Sequence, residues 1–177
     1  LSNLDLDAEV RPCPKNGPRF REELKERGGR SMFPYLIDPN TGTEMYESDA
    51  IVRYLYTQYG QGKVPLMLGA GALTDLSSVL ANLPRPGRGA FYRRARQPAQ
   101  AFELWSFEAS PFCRIVRECL STLELPYRLH NVAKGSAKRS DFVMRAGKMQ
   151  VPFLVDPNLG VEMFESQAIV DFLEQNY

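Results

Sequence analysis

Residues 152–170 read Pro152-Phe-Leu-Val-Asp-Pro-Asn-Leu-Gly-Val-Glu-Met-Phe-Glu-Ser-Gln-Ala-Ile-Val, and residues 34–52 read Pro34-Tyr-Leu-Ile-Asp-Pro-Asn-Thr-Gly-Thr-Glu-Met-Tyr-Glu-Ser-Asp-Ala-Ile-Val. Between residues 34–59 and 152–177, 15 of 26 positions are identical, and four of the other 11 exchange Tyr for Phe or Ile for Val. Upstream, Leu1-Ser-Asn-Leu-Asp-Leu matches Leu120-Ser-Thr-Leu-Glu-Leu at an offset of 119, against 118 later. Similarity of this length indicates that the chain contains two copies of one structural unit.

The duplication predicts the domain organisation of the 177-residue chain. We expect one domain over residues 1–60, a linker rich in Gly, Pro and Arg over 61–101, and a second domain over 102–177. About 18 residues that open the second repeat have no counterpart in the first. We therefore expect the natural protein to extend upstream of Leu1, with a segment there that resembles the start of the second repeat.

Composition narrows the class of protein. The chain has 22 Lys and Arg against 21 Asp and Glu, a formal net charge of +1, and 44% hydrophobic residues. Near-neutral charge argues against a dedicated nucleic-acid binder, and no stretch approaches the roughly 20 apolar residues of a transmembrane helix. Three cysteines without paired spacing form neither a disulfide framework nor a zinc site, and a single histidine argues against a multi-histidine metal centre.

Hydrophobic periodicity predicts the order βαβαββα for the second repeat. Its first helix follows Ser110-Pro111, where apolar residues recur at helical spacing along one face. The first repeat shows the same order from its second strand onward, and a further helix is predicted in the linker over 73–83. The remaining predicted elements are strands at 101–108, 127–132, 151–155 and 161–164, helices at 137–146 and from Ser166, and, in the first repeat, strands at 8–11, 33–37 and 44–46 with helices at 19–27 and from Ser48.

This order, together with Ser110-Pro-Phe-Cys113, Val151-Pro152 and Glu165-Ser166, resembles the thioredoxin fold in its glutaredoxin and glutathione S-transferase N-terminal form. The resemblance implies an α/β fold class of two thioredoxin-like domains in tandem, the first lacking its opening strand and helix in this chain. Asp-Pro-Asn after each Pro-containing strand is similar to plastid proteins of plants and algae with two such domains. A chloroplast location is therefore expected by resemblance.

The resemblance places Ser110 where glutaredoxins carry their nucleophilic cysteine, at the amino end of the first helix. There, unpaired N–H groups and the helix dipole stabilise a thiolate. Only Cys113 of a Cys-Pro-Phe-Cys pattern remains, so a dithiol cycle within this motif is impossible. If the motif is catalytic, Ser110 resembles the serine of Ser-type glutathione transferases, which donates a hydrogen bond to the glutathione thiolate. The alternatives are that Ser110 only caps the helix and that Cys113 is an inert, half-buried thiol.

Two further pairs match the glutathione-binding elements of the family. Val151-Pro152, mirrored by Phe33-Pro34, corresponds to the cis-proline site, where the residue before proline presents its backbone to the cysteinyl part of glutathione. The alternative is a proline that only holds the strand geometry.

Glu165-Ser166 and Glu47-Ser48 each begin the last helix of a repeat. In glutathione-binding relatives the acid of this pair faces the γ-glutamyl ammonium, and the serine and helix N-terminus face its carboxylate. A helix N-terminus with a hydroxyl is an anion site on physical grounds. The alternative is an ordinary serine N-cap beside an acid. Lys134 and Lys138, after the second strand, either meet the glycyl carboxylate or are solvated.

The linker is strongly basic, because residues 76–102 contain five arginines and no acid. It is either a solvated connection or a surface that docks on an acidic protein partner or an anionic membrane surface. The arginines are Arg85, Arg88, Arg93, Arg94 and Arg96.

Two functions remain open from the sequence. The first is a glutathione-binding thiol-disulfide oxidoreductase or glutathione-transferase-like protein, with glutathione as cofactor and protein thiols as partners. Its nucleophile is then expected in a Cys-Pro-Phe-Cys-like segment upstream of Leu1. The second is a non-catalytic thioredoxin-fold scaffold or subunit that docks on a plastid protein complex.

Overall fold

The computed structural model describes residues 1–65 and 89–177 and has the predicted element order. A short 3-10 turn (Ser2–Leu4) precedes the first strand, and the helix predicted over 73–83 lies outside the described residues. The strands are β1 (Ala8–Val10), β2 (Tyr35–Asp38), β3 (Thr43–Tyr46), β4 (Phe102–Ser106), β5 (Tyr127–Asn131), β6 (Phe153–Asp156) and β7 (Val161–Phe164). The helices are α1 (Phe20–Gly28), α2 (Ser48–Tyr59), α3 (Pro111–Thr122), α4 (Arg139–Ala146) and α5 (Ser166–Asn176).

The second repeat forms a complete thioredoxin-like sheet in which β5, β4, β6 and β7 are neighbours. β4 runs parallel to β5 and antiparallel to β6, which forms an antiparallel hairpin with β7. Alternate residues of β4 are fully buried, as a central strand covered on one face by helices requires. Phe102 and Leu104 pack against Val116 of α3 and Leu173 of α5, so these two helices cover one face of the sheet.

The opposite face of the sheet carries a smaller aromatic cluster. Phe142 of α4 and Phe153 of β6 are buried there and contact the half-buried Trp105 of β4. The alternation along β4 therefore divides its side chains between two helical layers.

The described chain falls into two compact units that do not coincide with the two repeats. One unit comprises Leu1–Glu23 with Gly87–Tyr177, and the other comprises Leu24–Pro86. The predicted boundaries at residues 60 and 101 follow the duplication and stay a prediction. The units instead follow packing, and the first 23 residues of repeat one pack with repeat two.

β1 joins the sheet of the second repeat as an antiparallel edge strand on β5, giving the order β1-β5-β4-β6-β7. The sequence analysis did not predict this pairing. At the offset of 119, Glu9 is the repeat equivalent of Arg128, and these two residues face each other at the centre of the ladder. At the same offset, Ala8 is equivalent to Tyr127 and Val10 is equivalent to Leu129. The ladder pairs each residue with the equivalent of the other, since Ala8 faces Leu129 and Val10 faces Tyr127. Equivalent strands of the two repeats therefore meet about a local two-fold axis, as in an isologous interface.

Two acids at equivalent positions reach across this axis. Asp5 and Glu124 both have a left-handed backbone, with φ of 51° and 52°. The Glu124 carboxylate, 0% exposed, accepts hydrogen bonds from the Arg19 and Phe20 N–H groups at the start of α1, with the shortest contact at 3.0 Å from Phe20. The Asp5 carboxylate accepts a hydrogen bond of 2.9 Å from the Ser136 hydroxyl, just before α4. An acid of the second repeat therefore binds the start of α1 in the first repeat, and an acid of the first repeat binds a residue just before α4 in the second.

Residues 89–101, part of the predicted linker, are tied to the larger unit by backbone hydrogen bonds. The Lys15 N–H donates to the Ala90 carbonyl at 2.6 Å, and the Tyr92 N–H donates back to Lys15 at 2.9 Å. The Arg93 N–H donates to the Thr122 carbonyl at the end of α3, at 2.8 Å. The segment therefore runs along the larger unit and packs as part of it.

The smaller unit contains the β2–β3 hairpin and α2. The Asp-Pro-Asn turn follows β2, where the buried Asp38 carboxylate accepts hydrogen bonds of 2.6 Å from the Tyr54 and Tyr59 hydroxyls. These two hydroxyls lower the pKa of Asp38. In the second repeat, Asp156 accepts the hydroxyl of Tyr177 at 2.7 Å. The repeated aspartate therefore has a structural role, which is to tie the hairpin to the end of the following helix.

We predict that Glu124→Gln lowers the free energy of unfolding by about 1–3 kcal/mol, because a buried carboxylate that accepts backbone N–H groups at a helix start is replaced by a neutral amide. Urea unfolding monitored by circular dichroism measures the change. The control is Glu174→Gln, which removes an exposed ion pair of 2.7 Å with Arg93 and should cost less than about 1 kcal/mol. Equal effects of the two substitutions would contradict the prediction.

Candidate functional site

The strand register of the second repeat collects the predicted site residues at one end of the sheet. Trp105 near the end of β4 pairs with Phe153 at the start of β6, which pairs with Phe164 at the end of β7. The segments that follow β4, precede β6 and follow β7 therefore lie at the same end of the sheet. They contain, respectively, Ser110, Val151-Pro152 and Glu165-Ser166.

Ser110 is the N-cap of α3. Its Oγ accepts a hydrogen bond from the Cys113 N–H at 3.3 Å, and Pro111 occupies the first turn, where a missing N–H has no cost. The side chain of Ser110 is buried, with the residue only 6% exposed. Because the capping bond uses a lone pair, the hydroxyl proton remains available to a ligand. Cys113 is 0% exposed and lies in the core beneath the helix start.

The acid before the last helix has the same unusual conformation in both repeats. Glu165 has φ 70° and ψ 115°, and Glu47 has φ 72° and ψ 114°. Residues other than glycine in such regions cost about 1–3 kcal/mol and concentrate at functional sites. The helices begin at Ser48 and Ser166, as predicted, and these acids are the N-cap residues, so the alternative of an ordinary serine N-cap is wrong by one position. Neither acid caps its helix with its side chain. The first N–H groups of a helix have no partner within the helix and are the groups that bind anions at such a terminus.

Gln150 is a site residue that the sequence analysis missed. Its side-chain amide donates a hydrogen bond to the Glu165 carboxylate, and so holds the acid beside the proline loop. The peptide bonds before Pro34 and Pro152 are both cis. The duplication gave no signal for Gln150, because the first repeat has Met32 at the equivalent position.

The first repeat carries only half of this arrangement. Phe33-Pro34 and Glu47-Ser48 adjoin the two ends of the β2–β3 hairpin, where Tyr35 pairs with Tyr46. Phe33 is 42% exposed. Within residues 1–65 and 89–177, no strand or helix of the first repeat corresponds to β4 and α3. Among the described residues, the three segments come together in the second repeat.

Lys138 and His130 are engaged with residues of repeat one. The Lys138 ammonium donates to the Asp5 carbonyl at 2.5 Å and to the Asp7 carboxylate at 2.7 Å. His130 stacks on Trp105 with ring centroids 4.3 Å apart, and it contacts the Asp7 carboxylate at 3.6 Å. The glycyl-carboxylate role considered for Lys138 is therefore replaced by contacts within the chain.

The described arginines of the predicted basic surface are partly engaged. Arg93 pairs with Glu174 at 2.7 Å, and the Arg96 guanidinium lies 5.3 Å from the centre of the Tyr177 ring. Arg85 and Arg88 lie outside the described residues, and Arg94 is exposed. Docking through these arginines stays a prediction.

Neither a metal site nor a membrane-spanning helix is found in the described residues. In residues 1–65 and 89–177, no group of three or more His, Cys, Asp and Glu side chains is arranged to hold a metal ion. No helix of this same part of the chain has the length and apolar character needed to cross a membrane.

Comparison with known proteins identifies the family. The model of the family described as "Glutathione S-transferase, N-terminal domain" matches residues 1–70 and again residues 104–177. No curated protein and no solved structure matches the chain significantly. The plastid location expected from the resemblance stays a prediction. With the family model matched twice and the thioredoxin-like arrangement of the second repeat, the chain belongs to the glutathione S-transferase N-terminal domain family.

Proposed function

We propose that the second repeat binds glutathione and that the chain acts as a glutathione-transferase-like protein. The observation that carries the proposal is the convergence of Ser110, the cis Val151-Pro152 segment and Glu165-Ser166 at one end of one sheet. Membership of the glutathione S-transferase N-terminal domain family supports glutathione as the ligand.

The two ends of glutathione have chemically matched groups in this arrangement. Glu165 supplies a carboxylate for the γ-glutamyl ammonium, and Gln150 holds that carboxylate in place. The N-terminus of α5 and the Ser166 hydroxyl supply donors for the γ-glutamyl carboxylate, and the helix dipole favours a negative charge there. The backbone beside Pro152 is available to the cysteinyl part of the ligand.

The thiol of the ligand would face the start of α3. The hydroxyl proton of Ser110 can be donated to a thiolate, while its lone pair caps the helix. The positive end of the helix dipole lowers the pKa of a thiol placed there. The chain thereby supports activation of the ligand's own thiol.

The cysteines of the chain favour transferase-like chemistry over disulfide exchange through protein thiols. Cys113 is 0% exposed. Burial raises the pKa of Cys13 to about 11 and that of Cys119 to about 12. Because the thiolate is the nucleophile, thiols with such pKa values are inert near neutral pH.

We predict that the intact chain binds glutathione at one site and that Ser166→Ala and Glu165→Gln each weaken binding about 10-fold or more. Each substitution removes one charge-assisted hydrogen bond, and a tenfold change corresponds to about 1.4 kcal/mol. Isothermal titration calorimetry with reduced glutathione measures affinity and stoichiometry.

The duplication provides matched controls for this experiment. Ser48→Ala and Glu47→Gln make the same changes in the first repeat, where the arrangement is incomplete in the described residues. These variants should leave the measured affinity at the wild-type value. The absence of binding to the wild-type chain, or equal losses in the two repeats, would contradict the proposal.

A second prediction concerns the reactivity of the protein thiols. At pH 8, the raised pKa values reduce the thiolate fraction by roughly 100-fold for Cys13 and roughly 1,000-fold for Cys119, relative to the reference value of 9.0. Iodoacetamide labelling followed by mass spectrometry should therefore be slow in the native chain and fast in urea. Rapid labelling of any of the three cysteines in the native chain would contradict this prediction and would favour the oxidoreductase alternative.

A further inference from the structure

The turn before Ser110 is hydrogen-bonded to Ser2, a residue of the first repeat. This turn connects β4 to α3, and it is closed by a hydrogen bond of 3.3 Å from the Ser110 N–H to the Phe107 carbonyl. Within the turn, the Glu108 N–H donates to the Ser2 hydroxyl at 3.3 Å. The Ser2 hydroxyl of the first repeat therefore accepts a hydrogen bond from the backbone N–H of Glu108, two residues before the N-cap Ser110.

The Ser2 hydroxyl is oriented by a buried amide. Asn131, at the end of β5, is 1% exposed, and its side-chain oxygen accepts the Ser2 hydroxyl proton at 3.1 Å. Its amide nitrogen donates to the Asp5 carboxylate at 3.1 Å and to the Ser2 carbonyl at 3.3 Å. Because the hydroxyl proton is directed toward Asn131, the lone pairs of Ser2 remain for the Glu108 N–H.

The same segment is anchored at its other end. The Asn131 N–H donates to the Asp7 carboxylate at 2.8 Å, and Lys138 donates to Asp7 and to the Asp5 carbonyl. The Ser136 hydroxyl donates to the Asp5 carboxylate at 2.9 Å. Residues 2–7 are thus bound at several points to the end of β5 and to the residues just before α4. The end of β5 lies beside the end of β4, where the turn begins, because Asn131 pairs with Ser106.

We propose that residues 2–7, the amino-terminal clasp, position Ser110 for glutathione in the second repeat. This inference rests on the proposed function and extends it, because it makes a segment of repeat one necessary for tight binding by repeat two. Ser2 is the positioning residue that contacts the turn. Asp5 and Asp7 hold its segment against the end of β5 and the residues before α4. Holding the turn before the ligand arrives avoids an ordering cost that would otherwise reduce the affinity.

The test substitutes Ser2→Ala in the intact chain. Loss of one hydrogen bond at the turn should weaken glutathione binding about 3- to 10-fold in calorimetry. Hydrogen–deuterium exchange, followed by mass spectrometry without ligand, should show faster exchange in peptides that cover residues 107–113.

The matched control is Ser121→Ala, the same change at the equivalent position of the other repeat. The Ser121 hydroxyl donates to the Gly89 carbonyl at 2.7 Å and has no contact with the turn among its described hydrogen bonds. This variant should keep wild-type affinity and wild-type exchange at residues 107–113. Urea unfolding of both variants separates a local effect on binding from a general loss of stability.

Unchanged exchange at residues 107–113 in Ser2→Ala would overturn the clasp, as would equal losses of affinity in the two variants. If the wild-type chain binds no glutathione, the proposed function fails, and the exchange measurement still decides whether the clasp holds the turn. Faster exchange confined to Ser2→Ala supports the clasp in that case as well.

Discussion

The antiparallel pairing of β1 with β5 is the interaction on which the larger unit depends. β5 is flanked by β4 on one side, and without β1 its other side would be an open edge of the sheet. The register, centred on Glu9 and Arg128, brings equivalent strands of the two repeats together about a local two-fold axis. Because the axis relates the segments before these strands as well, it places Asp5 and Glu124 where each reaches the other repeat.

The reciprocal contacts show how the two repeats diverged while keeping one geometry. At the offset of 119, Gly17 is the equivalent of Ser136. A Cβ atom at Gly17 would lie 2.6 Å from a carboxylate oxygen of Glu124, so a larger residue there would displace the longer acid from its position. The shorter Asp5 leaves room for Ser136, whose hydroxyl donates to it. The longer acid, Glu124, therefore faces glycine, and the shorter acid, Asp5, faces serine. Both acids accept hydrogen bonds from residues at or just before the start of a helix.

Local and repeated features of the sequence predicted most of the fold and the segments that meet at the candidate site. Periodicity gave the strands and helices within a few residues, and Ser110 was predicted as a possible N-cap because Pro111 follows it. The pairing of β1 with β5 was not predictable in this way, because it joins distant segments and leaves no periodic pattern in three residues. Gln150 and Asn131 were missed for a related reason. Their repeat equivalents are Met32 and Pro12, so the duplication does not mark them.

Sequence identity between the repeats does not give them the same environment. Ile169 and Leu173 of α5 are 0% exposed, because β4 and α3 complete the core beneath them. Their identical counterparts in α2, Ile51 and Leu55, are only half-buried in the smaller unit. The proposed glutathione site draws on three chain segments, and the register of β4, β6 and β7 brings all three to one end of the sheet in the second repeat. The start of the first repeat contributes instead through its contacts with β5 and with the turn before α3. In the proposed function, the second repeat binds glutathione and residues 2–7 of the first repeat position its helix start.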